Sequence, residues 1–488
     1  MNATRGPTGG EARRESARAS VDWWNCVSRS TEIYWTRAAG LAVTQQIAKR
    51  RTAALIEFAR ARSPFYRDAW KSAPEGRVAL ADLPVVTKRE LMARFDDWVT
   101  DPSVERRRVD EFLADREQIG ERFMGRYVIW KSSGSTGEPG IYLQDDAALS
   151  TYDALLAVQL ESAQVIGQYA WGVMRGGRAA LIAAMGDHFA SIASWERVCR
   201  GSPWPRGRAF SVTAPVPELV DALNAYQPAF LASYPTTLEI LALERVEGRL
   251  RIAPSCLWSG GEYLSDHART MIQRAFGTTL VNEYGASECM SMAVSCRHGA
   301  LHVNSDWVVL EPVDRDYRPV PPGTRSDTVL LTNLANRVQP IIRYDLGDSV
   351  TVSDKPCRCG SRMPAIQVDG RRDDVLALRT EDGRLVQLSP LAVTTIIEDA
   401  TSRRFQLVQT APDRLALRIA VDDPLERDRE WQAVRNALRA YLDRQSLDGV
   451  DLELDPIAPV QDERSGKFRE VIAQASARAQ EPRAGTAA

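Results

Sequence analysis

The residues best placed to do chemistry form the run Ser132-Ser133-Gly134-Ser135-Thr136-Gly137-Glu138-Pro139-Gly140, directly after the strand-like segment 126–131. Small residues let the backbone approach an anion closely, and their amides and hydroxyls donate to phosphate oxygens. The run is not a Walker loop, which ends in Gly-Lys-Ser/Thr. By residue type alone it serves equally as a phosphate cradle or as a flexible connector.

Five further clusters follow it. They are Trp258-Ser259-Gly260-Gly261-Glu262, Asn282-Glu283-Tyr284-Gly285-Ala286-Ser287-Glu288, Arg343-Tyr344-Asp345-Leu346-Gly347-Asp348, Gly370-Arg371-Arg372-Asp373-Asp374 and Ser465-Gly466-Lys467. In order and spacing the six resemble the signature motifs of the acyl-adenylate-forming (ANL) superfamily, and within it the phenylacetate–CoA ligase-like branch. The resemblance spans roughly residues 63–470 and implies an ATP-dependent, AMP-forming ligase. It would turn a small carboxylic acid, aromatic acids included, into its acyl-AMP and pass the acyl group to coenzyme A. The second step admits other acceptors, a carrier-protein thiol or an amine, and some members of the superfamily activate nitrite to diazotise an aryl amine. A non-catalytic binding module is the remaining reading.

The resemblance also implies roles. Ser132, Ser133, Gly134, Ser135, Thr136 and Gly137 would cradle the ATP phosphates. Gly260, Gly261 and Glu262 would line the adenine side, Tyr284 would stack on the ring, and Gly285 and Ser287 would complete that wall. Glu288 would hold Mg²⁺, a hard cation that takes carboxylate oxygen together with phosphate. Asp348 would accept from the ribose hydroxyls and Arg371 would fix the ribose and phosphates. Lys467 would neutralise charge developing on the α-phosphate. Asp373 matches the hinge about which the small domain swings between half-reactions. Glu138 departs from the pattern, because many relatives carry lysine there, and it is not counted as a ligand.

Cys296 and His298 lie about 60 residues before Cys357 and Cys359. Thiolates and imidazole are preferred zinc ligands, and four of them close a tetrahedral site. Similar pairs occur in relatives of this branch, which implies a structural Zn²⁺ that staples two loops. His302 is the reserve ligand. Reduced, partly buried cysteines are the alternative. For the acid, Tyr234, Trp258 and the strand-end His188 are candidate contacts.

These residues need a scaffold. Short apolar runs such as 179–185, 229–234, 255–260 and 279–285 alternate with helical stretches such as 217–226 and 266–277, which predicts an α/β layered domain with much parallel sheet. Two amphipathic helices are expected before it, between Ser20 and Arg62, the second ended by Pro64. Residues 302–352 read as a β-rich subdomain. Beyond Gly370 the pattern strand–helix–strand–strand–helix–strand predicts a compact α+β unit. The expected fold class is thus α/β: a large layered N-terminal domain (18–370) with a β-rich subdomain, plus a small mobile α+β C-terminal lid domain (371–480).

The bulk numbers suit a multidomain globular enzyme. There are 488 residues, 44% hydrophobic and 26% charged, too long for one compact core. With 62 basic and 64 acidic residues the net charge is −2, which supplies no field toward nucleic acid or an anionic membrane. Neither is expected as a partner. The partners would be the acid, ATP and a thiol or amine acceptor. Oligomeric state stays open, a homodimer included. With no secretory apolar stretch and no run long enough to span a membrane, a cytoplasmic protein is expected. Seven cysteines in this length do not make a disulfide framework.

Overall fold

The computed structural model describes residues 21–72, 78–132, 139–158, 163–201, 207–369, 376–401, 403–460 and 469–473. The chain begins with the helices Trp23–Ala38 and Leu41–Arg62. The break that Pro64 was expected to cause is there. The residue also starts the next helix, Pro64–Ala69, at its first position, with the Ser63 hydroxyl accepting from the Tyr66 amide. Proline lacks the N–H that a first helical turn leaves unpaired anyway.

A hairpin of β1 (Val128–Lys131) and β2 (Ile141–Gln144) brackets the serine-rich run. Then come β3 (Ala179–Ala183), β4 (Gly207–Ser211), β5 (Phe230–Ser233), β6 (Cys256–Gly260), β7 (Thr279–Ala286), β8 (Cys289–Ser295) and β9 (Leu301–Val303). After them stand β10 (Val308–Val313), β11 (Thr328–Asn333), β12 (Ile341–Asp345), β13 (Ser349–Val352) and β14 (Ala365–Asp369). Among the described residues, one sheet runs β13-β14-β9-β8-β7-β6-β5-β3-β4, and another runs β10-β11-β12. Neighbours from β7 to β4 are parallel and those from β13 to β7 antiparallel. The fully buried β3, Ala-Ala-Leu-Ile-Ala, shows the continuous apolar run of a parallel strand covered on both faces.

One face of the parallel strands packs on the crossover helices Pro235–Val246 and Asp266–Phe276, through Leu231, Leu257 and Leu280 against Leu238, Leu241 and Ile272. The second helix is capped at both ends: the Ser265 hydroxyl accepts from the Ala268 amide, and Gly277 takes the left-handed conformation at φ 63°. The opposite face carries Phe230, whose ring lies 4.9 Å from that of Tyr169 on the helix Ala163–Met174.

Past residue 370 the strands are β15 (Leu376–Arg379), β16 (Leu385–Leu388), β17 (Phe405–Ala411), β18 (Arg414–Ile419), β19 (Asp451–Leu454) and β20 (Val471–Ala473). They form the pair β15-β16 and the sheet β19-β18-β17-β20, with the helices Pro390–Ala400 and Pro424–Arg444 between strands. This is the α+β unit the sequence predicts, with β16 and β20 as additions. Among the described residues, no strand ladder joins the two sides of residue 370. The units do touch. The Thr236 and Ser389 hydroxyls are 3.2 Å apart, and the Val216 amide donates to Gln445 Oε1 at 3.4 Å. Among the described residues, no helix is long and apolar enough to cross a membrane.

Candidate functional site

A cavity of about 2960 Å³ opens where the carboxyl ends of β6 and β7 face the small unit. Strand ends of a parallel sheet are where ligands gather in such folds, because the loops that leave them converge there. β6 delivers Gly260, Gly261 and Glu262. Gly261 sits at φ +81°, and a Cβ there would lie 3.1 Å from the Tyr234 ring. Only glycine meets both demands. Glu262 Oε2 accepts from the Thr236 amide at 3.1 Å and its hydroxyl at 2.7 Å. It therefore caps the helix Pro235–Val246, at the seam where Thr236 meets Ser389.

β7 delivers the next group. At Gly285 any Cβ would collide with the Met290 carbonyl oxygen, so the tight β7–β8 turn depends on that glycine. The Tyr284 hydroxyl donates to Asp348 Oδ2 at 2.9 Å, which draws together two motifs 64 residues apart. Glu288 is buried, 8% exposed, and its Oε1 accepts from the Tyr142 hydroxyl at 2.6 Å and the Tyr344 hydroxyl at 2.7 Å. Burial, and after it the charge of Glu288, pushes both phenols far above the ordinary tyrosine range. They stay protonated and act as donors. Both of these bonds fall on Oε1, and Glu288 lines the cavity. Two neutral donors thus fix this carboxylate at the cavity wall, an arrangement that suits a Mg²⁺ ligand.

The serine-rich run is tied to the same place. Ser132 pins its neck: its amide donates to the Gly140 carbonyl at 2.9 Å, and its hydroxyl accepts from the Gly140 amide at 2.8 Å. The Trp130 indole donates to the Ser287 carbonyl at 2.8 Å, which fixes the hairpin against the Tyr284–Glu288 segment. Ser133, Gly134, Ser135, Thr136, Gly137 and Glu138 lie outside the described residues, as do Arg371, Asp373 and Lys467.

Of the expected acid contacts, Tyr234 and Trp258 line the cavity. His188 does not. It is fully buried behind β1, its Nε2 3.1 Å from the Asp115 carbonyl and its ring 5.6 Å from Phe112. Burial holds its imidazole below the usual histidine range. Its backbone carbonyl accepts from the Lys131 amide at 2.7 Å, and Lys131 pairs with Asp187, so this turn braces the hairpin.

The thiol cluster forms with a different histidine. The ligand atoms of Cys296, His302, Cys357 and Cys359 all lie within 4.8 Å of one another. The Cys296 and Cys357 sulfurs are 3.7 Å apart, and Cys359 Sγ is 3.2 Å from His302 Nε2. A tetrahedral zinc with bonds of about 2.3 Å to sulfur separates two sulfurs by roughly 3.8 Å. His302 Nδ1 lies 2.9 Å from the Met363 carbonyl, the partner that fixes a ligating tautomer and leaves Nε2 for a metal. The donor set therefore fits zinc. His298, the expected nitrogen ligand, is exposed, and its ring faces the Arg297 side chain at 3.2 Å. Its place in the Cys296 turn points it outward, whereas His302 lies on β9, opposite Ala365 of β14.

Three contributors were not singled out in the sequence. Tyr142 and Tyr344 follow from motif positions only once β2 and β12 are brought to Glu288. Glu283 stands within a motif, yet its polar type among apolar strand neighbours was the only signal.

No family model matches the chain. Among solved structures it is similar to a 2-hydroxyisobutyryl-CoA ligase holding 2-HIB-AMP and CoA in the thioesterification state, at 21% identity and TM-score 0.54, covering 89% of this chain and 90% of that one. An open conformation of that ligase aligns at 20% identity and TM-score 0.50 over 88% of this chain and 92% of that one. Protein CapK of Staphylococcus aureus is 22% identical over 213 residues, 43% of this chain. That match spans less than half of the relative's length, 45%.

Proposed function

The chain has the fold of the acyl-adenylate-forming superfamily, and on that premise we propose that it is an ATP-dependent ligase that adenylates a small carboxylic acid and passes the acyl group to a thiol, coenzyme A first among candidates. One observation carries the reading. Residues scattered from Ser132 to Asp348 line one cavity at the carboxyl ends of parallel strands, in the order phosphate neck, adenine wall, carboxylate and ribose acceptor.

In the first half-reaction the acid's carboxylate oxygen attacks the α-phosphorus of ATP and pyrophosphate leaves. The loop closed by Ser132 and Gly140 cradles the phosphates. Glu288, positioned by its two phenols, would hold Mg²⁺, which would offset phosphate charge. Gly260 and Gly261 leave room for a flat base beside Tyr284, and Asp348 accepts from the ribose. Lys467 and Arg371 supply positive charge to the phosphates. In the second half-reaction the thiolate attacks the acyl carbonyl and AMP departs. Units 18–370 and 371–480 rearrange between the steps about Asp373. The cysteine–histidine cluster is a structural zinc site that ties the β8–β9 turn to the loop before β14 and takes no part in the chemistry.

ATP–pyrophosphate exchange over a panel of acids, nitrite included, tests this. Exchange with a carboxylic acid, followed by thioester formation on adding coenzyme A, is the expected result. Exchange without a thioester moves the second step to another acceptor. Absence of both exchange and nucleotide binding overturns the proposal.

A further inference from the structure

The helix Trp23–Ala38 buries one side and leaves the other open. Cys26, Ile33 and Thr36 are its buried residues. At roughly 100° per residue, the positions opposite them are Trp24, Ser28, Thr31 and Trp35, and all four are exposed. Trp24 is 88% exposed and Trp35 66%, with the exposed Val27 and Tyr34 beside them. The Tyr34 ring meets Trp35 edge-on, centroids 5.4 Å apart. This strip carries no charge. The charged side chains stand off it and are engaged elsewhere: Arg29 and Arg51 pair with Glu32, and Arg37 pairs with Asp306 at 2.9 Å and donates to Asn304. Arg37 thereby anchors the helix to the body, so the strip is presented on a fixed support.

The spacing of the four residues says what covers them. Steps of four, three and four are those of the core positions of two packed helices. Trp24 and Trp35 stand equally far from the middle of the strip, and so do Ser28 and Thr31. Turned about a two-fold axis, the strip therefore matches itself: each Trp24 meets Trp35 of the other copy, and the small Ser28 and Thr31 let the helices approach between the two tryptophan layers. A surface that complements itself in this way is the requirement for a closed two-fold dimer. Area points the same way. A buried aromatic side chain removes about 150–250 Å² from water, so Trp24, Tyr34, Trp35 and the half-exposed Trp23 leave on the order of 500 Å² open. A stable interface takes roughly 800 Å² per partner, and this one helix offers more than half of that. Other occupants fit less well. Residues 1–20 contain four arginines and no aromatic, valine, leucine or isoleucine, so they bring nothing apolar to cover the strip. A helix that lies on anionic lipid sets free basic residues beside its apolar face, whereas Arg29 and Arg37 are committed to carboxylates.

We infer that the exposed strip of the helix Trp23–Ala38 is a homodimer interface, in which two copies of this helix pack antiparallel with Trp24 of each against Trp35 of the other. Among the described residues, none of 21–62 lines the large cavity, so each copy keeps its own site open.

Sedimentation of the full chain over a concentration series tests this, and neither the acid nor ATP is needed. The wild type should sediment at twice the chain mass. Trp24→Glu and Trp35→Lys, each at an exposed position, should keep the wild-type circular dichroism and raise the dimer dissociation constant by about 10²-fold or more, as loss of a central tryptophan anchor does. Mixing the two variants should restore a dimer, because the mixed pair keeps one tryptophan layer and sets a carboxylate against an ammonium in the other. A wild type that stays at one chain mass overturns the inference, as does a dimer untouched by both substitutions, or a mixture no more associated than its components. A monomeric wild type that floats with vesicles of anionic lipid, and ceases to in Trp24→Glu, assigns the strip to a membrane and overturns it too. Should Trp35→Lys fail to fold, the wild type and Trp24→Glu decide.

Discussion

Glu283 gives the sharpest physical prediction, because its burial has a measurable consequence without any substrate. Its carboxyl moves from 4.5 to about 7 on folding, chiefly through burial. At about 1.4 kcal/mol per tenfold change in affinity, that difference amounts to roughly 3 kcal/mol. The rest of the side chain keeps some contact with solvent, which trims the effect toward about 2–3 kcal/mol. The folded state binds the proton more tightly than the unfolded one, so the contribution to stability is fully present below pH 4.5. It is lost as pH rises through about 7. No charged group ranks among the causes of the shift, only burial, Trp258 and Ser291, so moderate salt should barely alter it. The assay is an indole ¹⁵N–¹H titration, since the Trp258 N–H donates to Glu283 Oε2 and reports its protonation directly. One tryptophan resonance should titrate near pH 7 and disappear from that position in Trp258→Phe. In Glu283→Gln it should be flat with pH. The unfolding free energy of the wild type relative to that of Glu283→Gln should fall by about 2–3 kcal/mol between pH 4.5 and 7.5. A midpoint near the ordinary glutamate value would show that water reaches the carboxyl, and the reasoning from burial would fall with it.

Three further outcomes are expected. Purified protein should carry about one zinc per chain by elemental analysis. His302→Ala should lower both zinc content and thermal midpoint while His298→Ala leaves them alone; the reverse pattern would refute the geometry. Glu288→Gln should weaken Mg²⁺-dependent pyrophosphate exchange, whereas Tyr344→Phe, which removes one donor to that carboxylate, should cost about 1–3 kcal/mol in chemical denaturation. Exchange by Glu288→Gln at the wild-type rate would dismiss the metal role. Lys467→Ala should slow adenylation by about 10²–10³-fold and leave conversion of a supplied acyl-adenylate nearly intact. Asp373→Pro should do the reverse by stiffening the hinge, and equal losses in both single-turnover steps would refute the division.

How far the sequence could be read depends on the range over which each feature is decided. The placement of the glycines and carboxylates of the 258–262 and 282–288 segments at strand ends was legible because a parallel strand and its exit turn are local. The short strands β16 and β20 were not, because three or four residues carry no period of their own. β20 exists by pairing in parallel with β17, 64 residues earlier at Leu407↔Val471. The choice between His298 and His302 shows the same limit. Proximity to Cys296 favoured His298, but an exposed turn after β8 sends that ring outward. His302 wins because β9 is sandwiched between Val294 of β8 and Ala365 of β14, which carries its imidazole to the Cys359 loop. The two phenols on Glu288 are decided over a longer range still, since Tyr142 and Tyr344 are 202 residues apart. His188 is the converse case. A strand-end histidine beside glycine has the right type for a substrate contact, but the space it fills beside Phe112 and Asp115 belongs to the brace of the β1–β2 hairpin. Residue type thus nominates candidates, and strand pairing decides which of two similar side chains reaches the cluster.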